Sequence, residues 1–116
     1  MNVKRIIANI AVPQESDADA FYQGILGLDL AMDQGWIRTY AGSAQMPVQI
    51  SVASQGGSDT PVPDISIEVD NLDEALRRVM EANIPLEYGP VSEPWGVRRF
   101  YVRDPVGKLI NILQHE

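Results

Sequence analysis

The chain has 116 residues, no cysteine and a formal net charge of -7 at pH 7. This length suits one compact domain with an apolar core, and the lack of cysteine excludes disulfides, thiolate metal sites and cysteine nucleophiles. The acidic balance disfavours nucleic acid, and no apolar run approaches the roughly 18 residues needed to span a bilayer, so we expect a cytoplasmic protein without nucleic-acid or membrane partners.

The first half of the chain begins with a β-rich apolar run over residues 6–12. A polar segment follows, and then Phe21, Ile25 and Leu28 recur with the period of a helix, which Gly27 is placed to end. Shorter strand patterns cover residues 28–32, 35–40 and 47–53. This half therefore predicts a strand, a helix and three further strands.

The second half repeats that order. Residues 64–69 alternate as a strand, and Asn71 can cap a helix with Glu74 at the capping-box spacing. The apolar stripe of this helix is Leu72, Ala75, Leu76 and Val79. Further strand patterns cover residues 86–88, 97–103 and 108–113, with a turn at residues 103–108.

An internal repeat relates the two halves, because Val12 and Val69 are 57 residues apart and Ile10 and Ile67 have the same offset. Each half is predicted to be a βαβββ module: module 1 about 1–54 and module 2 about 61–116, joined by a polar linker rich in Gly, Ser and Pro over residues 53–63. We predict one α+β domain, in which two tandem modules form a curved mixed sheet with a cleft as the ligand site.

Two motifs resemble those of the vicinal-oxygen-chelate superfamily, which includes glyoxalase I, bleomycin-resistance proteins and extradiol dioxygenases. The first is Phe-Tyr-Gln-Gly-Ile-Leu-Gly-Leu at residues 21–28. The second begins Glu-Pro-Trp-Gly at residue 93 and ends Asp-Pro-Val-Gly at residue 107. The resemblance covers essentially the whole chain and implies the glyoxalase/bleomycin-resistance fold.

The resemblance places the family's four metal positions on Ile7, Gln49, Asp64 and Asn111. Metal-using members carry His and Glu there, whereas here Ile7 offers no donor, the two amides are neutral and Asp64 is the single anion. A catalytic zinc or iron site typically needs three imidazole, thiolate or carboxylate ligands. We therefore expect no catalytic metal and no cofactor, with at most weak binding of Mg²⁺ or Ca²⁺. The only histidine, His115, is predicted to be a solvated tail residue beyond the last strand.

Two Arg-x-Tyr segments recur, at Arg38–Tyr40 and Arg99–Tyr101, and alternation puts each pair on one face of its strand. The resemblance orients Tyr101 inward, so Phe100 and Val102 should pack under the helices. The predicted ligand-binding residues are Trp36, Arg38, Tyr40, Gln49, Trp95, Arg99 and Asn111. As alternatives, the tryptophans would pack in the core or a dimer interface, and the arginines would pair with carboxylates.

The leading functional prediction is metal-independent binding of a small aromatic or carbonyl-bearing molecule, as in antibiotic or metabolite sequestration, and the resemblance implies a homodimer. A second prediction is an enzyme, a lyase, isomerase or dioxygenase-like member, that uses Asp64 and Tyr101 in acid–base catalysis or an atypical divalent metal site. Asp64 has an alternative interpretation as an exposed carboxylate that begins a strand. A third possibility is a partner-binding module with a vestigial cleft.

Overall fold

The structure is a computed structural model that describes residues 1–25, 27–43, 49–105 and 107–116. Residues 47 and 48 of a predicted strand, and Leu26 and Val106 of the two family motifs, lie outside the described residues, as does the side chain of Ile25. Eight strands and one α-helix account for most of the described residues, which makes an α+β fold.

The strands, in chain order, are β1 (Val3–Ala11), β2 (Asp29–Asp33), β3 (Ile37–Ala41), β4 (Gln49–Ala53), β5 (Ile65–Val69), β6 (Tyr88–Ser92), β7 (Val97–Arg103) and β8 (Leu109–His115). Helix α1 spans Leu72–Glu81. A 3₁₀ turn at Glu15–Ala18 and a π-helical segment at Ala20–Ile25 stand where the first helix was predicted. None of the described helices is long and apolar enough to cross a membrane.

Two compact units divide the chain. The amino-terminal unit is Ile7–Val62, and the carboxyl-terminal unit joins Met1–Ile6 to Pro63–Glu116. The first six residues belong with the second half because Asn2 hydrogen-bonds Asp70, and because Lys4 and Arg5 both form ion pairs with Glu68.

Strand order is the same in both units, as the sequence repeat predicts. In the amino-terminal unit the order is β1-β4-β3-β2, and in the carboxyl-terminal unit it is β5-β8-β7-β6. The first and last strands of each unit are parallel, and the other neighbours are antiparallel.

The carboxyl-terminal core lies between α1 and one side of the β5-β8-β7-β6 strands. The buried members of this core are Val69, Leu72, Ala75, Phe100, Val102 and Ile110. Asn71 caps α1 as predicted, since its side chain accepts a hydrogen bond from the Glu74 N–H at 3.1 Å. On the outer face of α1, Glu74 forms an ion pair with Arg78, and Asp73 bonds Arg98.

The first helical segment ends where the sequence predicts, but it is not the α-helix that the sequence predicts. Gly27 donates to the Gln23 carbonyl at 3.1 Å, which ends the segment where the sequence predicts. An α-helix is not formed, and Phe21 is exposed, so the predicted apolar stripe does not have a fully buried side. Gly24 lies inside this segment, where glycine disfavours a regular helix.

Candidate functional site

One face of the carboxyl-terminal unit's strands is polar and lies opposite α1. Tyr101 pairs with Asn111 and Arg99 with Leu113, and Asn111 also pairs with Ser66. Because directly paired residues project to the same side of a sheet, these side chains share one face, here called the Arg99 face. The intervening Phe100 and Val102 pack in the core under α1, which confirms that prediction.

A buried ion pair organises the Arg99 face. Arg99 is 3% exposed, and its Nη2 donates to Oε2 of Glu93 at 2.8 Å. Its Nη1 donates to the Tyr101 hydroxyl at 3.0 Å, and the Tyr88 hydroxyl donates to the other carboxylate oxygen of Glu93 at 3.0 Å. The guanidinium thus bonds one carboxylate and one phenol, and a second phenol bonds the same carboxylate.

Three aromatic rings surround the same guanidinium. Its central carbon lies 5.0 Å from the ring centroids of Trp95 and Tyr101 and 5.4 Å from that of Tyr88. These distances are within the range of cation–π attraction. The Arg99 cluster is defined as Tyr88, Glu93, Trp95, Arg99 and Tyr101, of which Tyr88 and Trp95 are half-buried and the other three are buried.

Sequence reasoning identified three members of the Arg99 cluster and missed Tyr88 and Glu93. Glu93 begins the second family motif, but the motif alone indicates no role for it. A buried arginine requires a carboxylate, and Glu93 is only two residues from Trp95 in sequence. That proximity was the available signal, whereas the position of Tyr88 depends on a register shift in β6 between Tyr88 and Val91.

Asn111 lies beside Tyr101 on the Arg99 face and is 7% exposed. Its Nδ2 donates to the Ser66 hydroxyl at 3.1 Å, while its Oδ1 is buried with no hydrogen-bond partner among the described residues. The serine hydroxyl can donate or accept, so either orientation of the amide leaves one polar end unsatisfied. This position therefore carries unused hydrogen-bonding capacity.

Asp64 is exposed and precedes β5. Its Oδ2 accepts a hydrogen bond from the Leu109 N–H at 2.8 Å, and its own N–H donates to the Leu109 carbonyl at 2.8 Å. This arrangement closes the first rung between β5 and β8. It matches the interpretation of Asp64 as a carboxylate that begins a strand.

In the amino-terminal unit, Arg38 and Tyr40 face the helical segment. Asp19 accepts from the Arg38 guanidinium and, at 2.5 Å, from the Tyr40 hydroxyl. Asp33 lies 3.3 Å from the other end of Arg38, and the Tyr22 ring stacks on Tyr40 with centroids 5.2 Å apart. This Arg-x-Tyr pair is thus on the helical side of its unit, whereas Arg99 and Tyr101 face away from α1.

The contacts around Asp19 shift the pKa values of Tyr40, Arg38 and Asp19 itself. Burial and the hydrogen bond to Asp19 raise the pKa of Tyr40 to about 12. The hydrogen bond from Tyr40, together with Arg38, holds the pKa of Asp19 below its usual value. Arg38 therefore occupies the structural ion pair that the sequence analysis gave as its alternative.

The remaining predicted residues are dispersed. Ile7, Trp36 and Gln49 are half-buried in the amino-terminal unit. Asn111 is paired with Tyr101 in the carboxyl-terminal unit, whereas the residue paired with Tyr40 is Ile50 and not Gln49.

His115 is the last residue of β8, with Nδ1 3.0 Å from Oε2 of Glu68. The prediction that His115 lies beyond the last strand is therefore wrong, because β8 extends two residues past the predicted end at residue 113.

The donor set fits a transition metal poorly. Ile7 has no donor atom, Asn111 offers a neutral amide, and the Asp64 carboxylate already bonds the Leu109 backbone. Across residues 1–25, 27–43, 49–105 and 107–116, no group of three or more His, Asp or Glu side chains could hold a metal ion. With one carboxylate and no imidazole or thiolate, the residues at the family's metal positions do not provide the ligand set that zinc or iron sites use.

Comparisons with known proteins support the fold. A structure from Legionella pneumophila described as NAD-dependent benzaldehyde dehydrogenase is 15% identical with a TM-score of 0.76, covering 97% of this chain and all (100%) of that one. A glyoxalase/bleomycin resistance protein/dioxygenase superfamily member from Vibrio splendidus is 15% identical with a TM-score of 0.67, covering 97% of this chain and 99% of that one. Methylmalonyl-CoA epimerase from Mycobacterium tuberculosis is 16% identical with a TM-score of 0.63, covering 98% of this chain and 87% of that one.

At these identities the structural similarity concerns the fold alone. No curated protein matches the chain in sequence. A family model described as Glyoxalase/Bleomycin resistance protein/Dioxygenase superfamily matches residues 7–112, which is nearly the whole chain. The repeated strand order, the two sequence motifs and this match agree, and the chain belongs to the glyoxalase/bleomycin resistance protein/dioxygenase superfamily.

Proposed function

We propose that the chain binds a planar small molecule on the Arg99 face and does so without a resident transition metal. One observation carries the proposal: the half-buried Trp95 ring lies 5.0 Å from the guanidinium of a buried, ion-paired Arg99. That arrangement holds a partly accessible indole in place, and a fixed aromatic surface loses little entropy when a planar ligand stacks on it.

The charge of the Arg99 cluster favours a neutral or cationic ligand. The single arginine of the cluster is matched by Glu93 at 2.8 Å, so the cluster carries no net charge. The whole chain has a formal charge of -7, which attracts cations and repels anions. The two arginines do not favour an anionic ligand, because both bond carboxylates.

The accessibility of the tryptophans supports ligand binding over a vestigial, closed site. A closed core would bury Trp36 and Trp95 fully, and both are half-buried. Aromatic side chains that are partly exposed to solvent are typical of binding surfaces. The partner-binding alternative is therefore less well supported than small-molecule binding.

Fluorescence titration tests the proposal. Purified, chelator-treated protein is titrated with indole, quinoline, 4-hydroxyacetophenone and anthraquinone while tryptophan emission is followed. A saturable change is expected for at least one of them in the wild type and in Trp36→Phe, and its loss is expected in Trp95→Phe. The absence of any saturable change in the wild type, or a change that persists in Trp95→Phe, contradicts the proposal.

The metal-free part has a test of its own. Elemental analysis of the protein as isolated is expected to give far less than one zinc, iron, nickel or manganese per chain. The reason is the donor set, in which Ile7 and Asn111 offer no anionic ligand. A stoichiometric transition metal that survives gel filtration overturns this part of the proposal and leaves the stacking surface to be judged by fluorescence.

Acid–base catalysis is a second candidate function, supported by the 3.0 Å hydrogen bond from Arg99 to the Tyr101 hydroxyl. A phenol held in one orientation can transfer a proton to a bound substrate. Methylmalonyl-CoA is a suitable probe because one structural relative is named methylmalonyl-CoA epimerase. Exchange of its α-proton in D₂O, lost in Tyr101→Phe, would support this candidate, and no exchange in the wild type would count against it.

Asp64 is the other residue proposed for catalysis. Asp64→Asn should abolish turnover in the catalytic case and leave ligand affinity intact, although the exposed carboxylate already bonds the Leu109 backbone. Turnover unchanged in this variant would confine Asp64 to its backbone hydrogen bond. The homodimer implied by the family resemblance stays a prediction, and light scattering of the purified chain tests it.

A further inference from the structure

The buried amide of Asn111 is the strongest unexplained polar group on the Arg99 face. The residue is only 7% exposed, and Ser66 satisfies only one end of its side chain. Oδ1 has no partner within the described part of the chain. Buried polar atoms are nearly always hydrogen-bonded, so an unsatisfied one calls for a specific explanation.

A structural role does not explain this amide. Its neighbours along β8, Ile110 and Ile112, face the core on the opposite side of the strand. Leucine has the same number and branching of side-chain heavy atoms as asparagine and would occupy this position without an unsatisfied acceptor. Leaving an acceptor buried and unpaired is unfavourable. A polar side chain at this position is explained if a bound ligand donates a hydrogen bond to Oδ1.

The surroundings indicate which kind of molecule this is. Asn111 is paired with Tyr101 across β7 and β8, and Tyr101 lies in the Arg99 cluster that holds Trp95. A planar ligand on this face would thus meet an aromatic surface and an unpaired amide oxygen. The ligand class is set by these two features together.

We propose that Oδ1 of Asn111 accepts a hydrogen bond from an O–H or N–H group of the bound molecule, which makes the ligand a planar aromatic with a donor at its edge. This inference rests on the proposed function, because it concerns the same face. It goes further in assigning a specificity-determining residue. Ligands whose donor is removed or methylated should bind less tightly than the parent.

Three probes separate the donor from the ring: acetophenone, 4-hydroxyacetophenone and 4-methoxyacetophenone. Binding is followed by NMR through the indole N–H signal of Trp95 and the side-chain amide signals of Asn111. A hydrogen bond to a buried acceptor typically contributes about 0.5–1.5 kcal/mol, or roughly 2- to 12-fold in affinity. We expect 4-hydroxyacetophenone to bind the wild type tighter than the other two by a factor in this range.

Variants assign that preference to the amide oxygen. Asn111→Leu should bind all three probes within roughly 2-fold of one another, whereas Asn111→Asp keeps an acceptor and should retain the preference. Ile112→Val is the matched control, since it perturbs β8 on the opposite face, and it should behave as the wild type. If Asn111→Leu does not fold, Asn111→Asp and the wild-type amide signals still decide the question.

The outcomes distinguish the inference from the proposed function. If no probe shifts the Trp95 signal, and the fluorescence panel also fails, the proposed function falls and the inference falls with it. If all three probes shift Trp95 with equal affinity, the aromatic surface stands and the role of Asn111 is refuted. A preference for 4-methoxyacetophenone also refutes it, because the unsatisfied end of the amide would then be its N–H₂ group.

Discussion

Arg99 and Glu93 form a buried ion pair in which Nη2 lies 2.8 Å from Oε2 and each side chain is 3% exposed. Glu93 precedes β7 and Arg99 lies within it, so the pair ties the Pro-Trp-Gly loop to the strand that carries Tyr101. Removing charges from water is costly, and such a pair is maintained only when its geometry and hydrogen bonds are good. Here the two hydroxyls of Tyr88 and Tyr101 supply the additional bonds.

Glu93→Gln should lower the free energy of unfolding by about 3–5 kcal/mol, because it leaves the Arg99 charge buried without a counter-charge. Urea unfolding followed by circular dichroism measures this loss. The same variant should change the Trp95 emission of the folded protein, since the guanidinium beside the indole loses its anchor.

An exposed ion pair in the same unit is the control. Arg98 and Asp73 are 2.7 Å apart with side-chain exposures of 36% and 77%, so Asp73→Asn should cost less than about 1 kcal/mol. Equal losses in Asp73→Asn and Glu93→Gln would show that burial adds nothing to the Arg99 pair.

Gly89→Ala should be strongly destabilising. Gly89 has a φ of 74°, and an added Cβ would lie 2.5 Å from the Arg99 carbonyl oxygen, a backbone atom that cannot move without distorting β7. We expect a loss of more than about 2 kcal/mol from the combination of unfavourable φ and steric clash.

Gly96→Ala is the comparison for Gly89→Ala. Its φ is 91°, but apart from its chain neighbours none of the described residues lies within 4 Å of the added Cβ, so only the backbone conformation is penalised. The expected loss is about 1–2 kcal/mol. If thermal unfolding shows equal losses for the two variants, the contact with β7 is not the decisive factor.

The N-cap of α1 is a further measurable element of the site's scaffold. Asn71→Ala removes the acceptor for the Glu74 N–H and should cost about 1 kcal/mol, whereas Asn71→Asp keeps an acceptor and should cost little. Urea midpoints of both variants decide this. A stable Asn71→Ala would mean that the packing of α1 on β7 and β8 makes the cap redundant.

The fold was largely predictable because its signals are local. Residues 97–103 are predicted as a strand and β7 has the same bounds, because this run is rich in valine and aromatic residues and is bounded by Gly96 and Asp104. The start of α1 followed from Asn71 and Glu74, whose spacing is a property of the helix terminus itself. The type of the first helical segment was not predictable from periodicity, because Phe21 and its neighbours do not all pack against a core.

The candidate site was predictable in composition but not in its pairing. Alternation placed Arg99 and Tyr101 on one face, as the register confirms. Alternation cannot say which face carries a helix, and Arg38 and Tyr40 turn toward the segment that holds Asp19. Asp19, which pairs with Arg38, is distant from it along the chain, and Glu93, which pairs with Arg99, lies in a family motif that indicates no role for it. Neither partner therefore follows from spacing alone.

Tyr40 makes stability depend on alkaline pH. Its pKa is raised from 10.0 to about 12 by burial and by the hydrogen bond to Asp19, so the neutral phenol is favoured in the folded chain. This contribution is fully present below pH 10, where the Tyr40 phenol is neutral in the unfolded chain as well, and it is lost as the pH rises toward about 12. Urea unfolding measured across this range should show a steeper decline for the wild type than for Tyr40→Phe. Tyr40→Phe also removes the hydrogen bond that contributes most to lowering the pKa of Asp19. The pKa of that carboxyl, followed by NMR, should therefore rise toward its usual value. Parallel stability curves for the two proteins above pH 10 would show that Tyr40 ionises as readily in the folded chain as in the unfolded one.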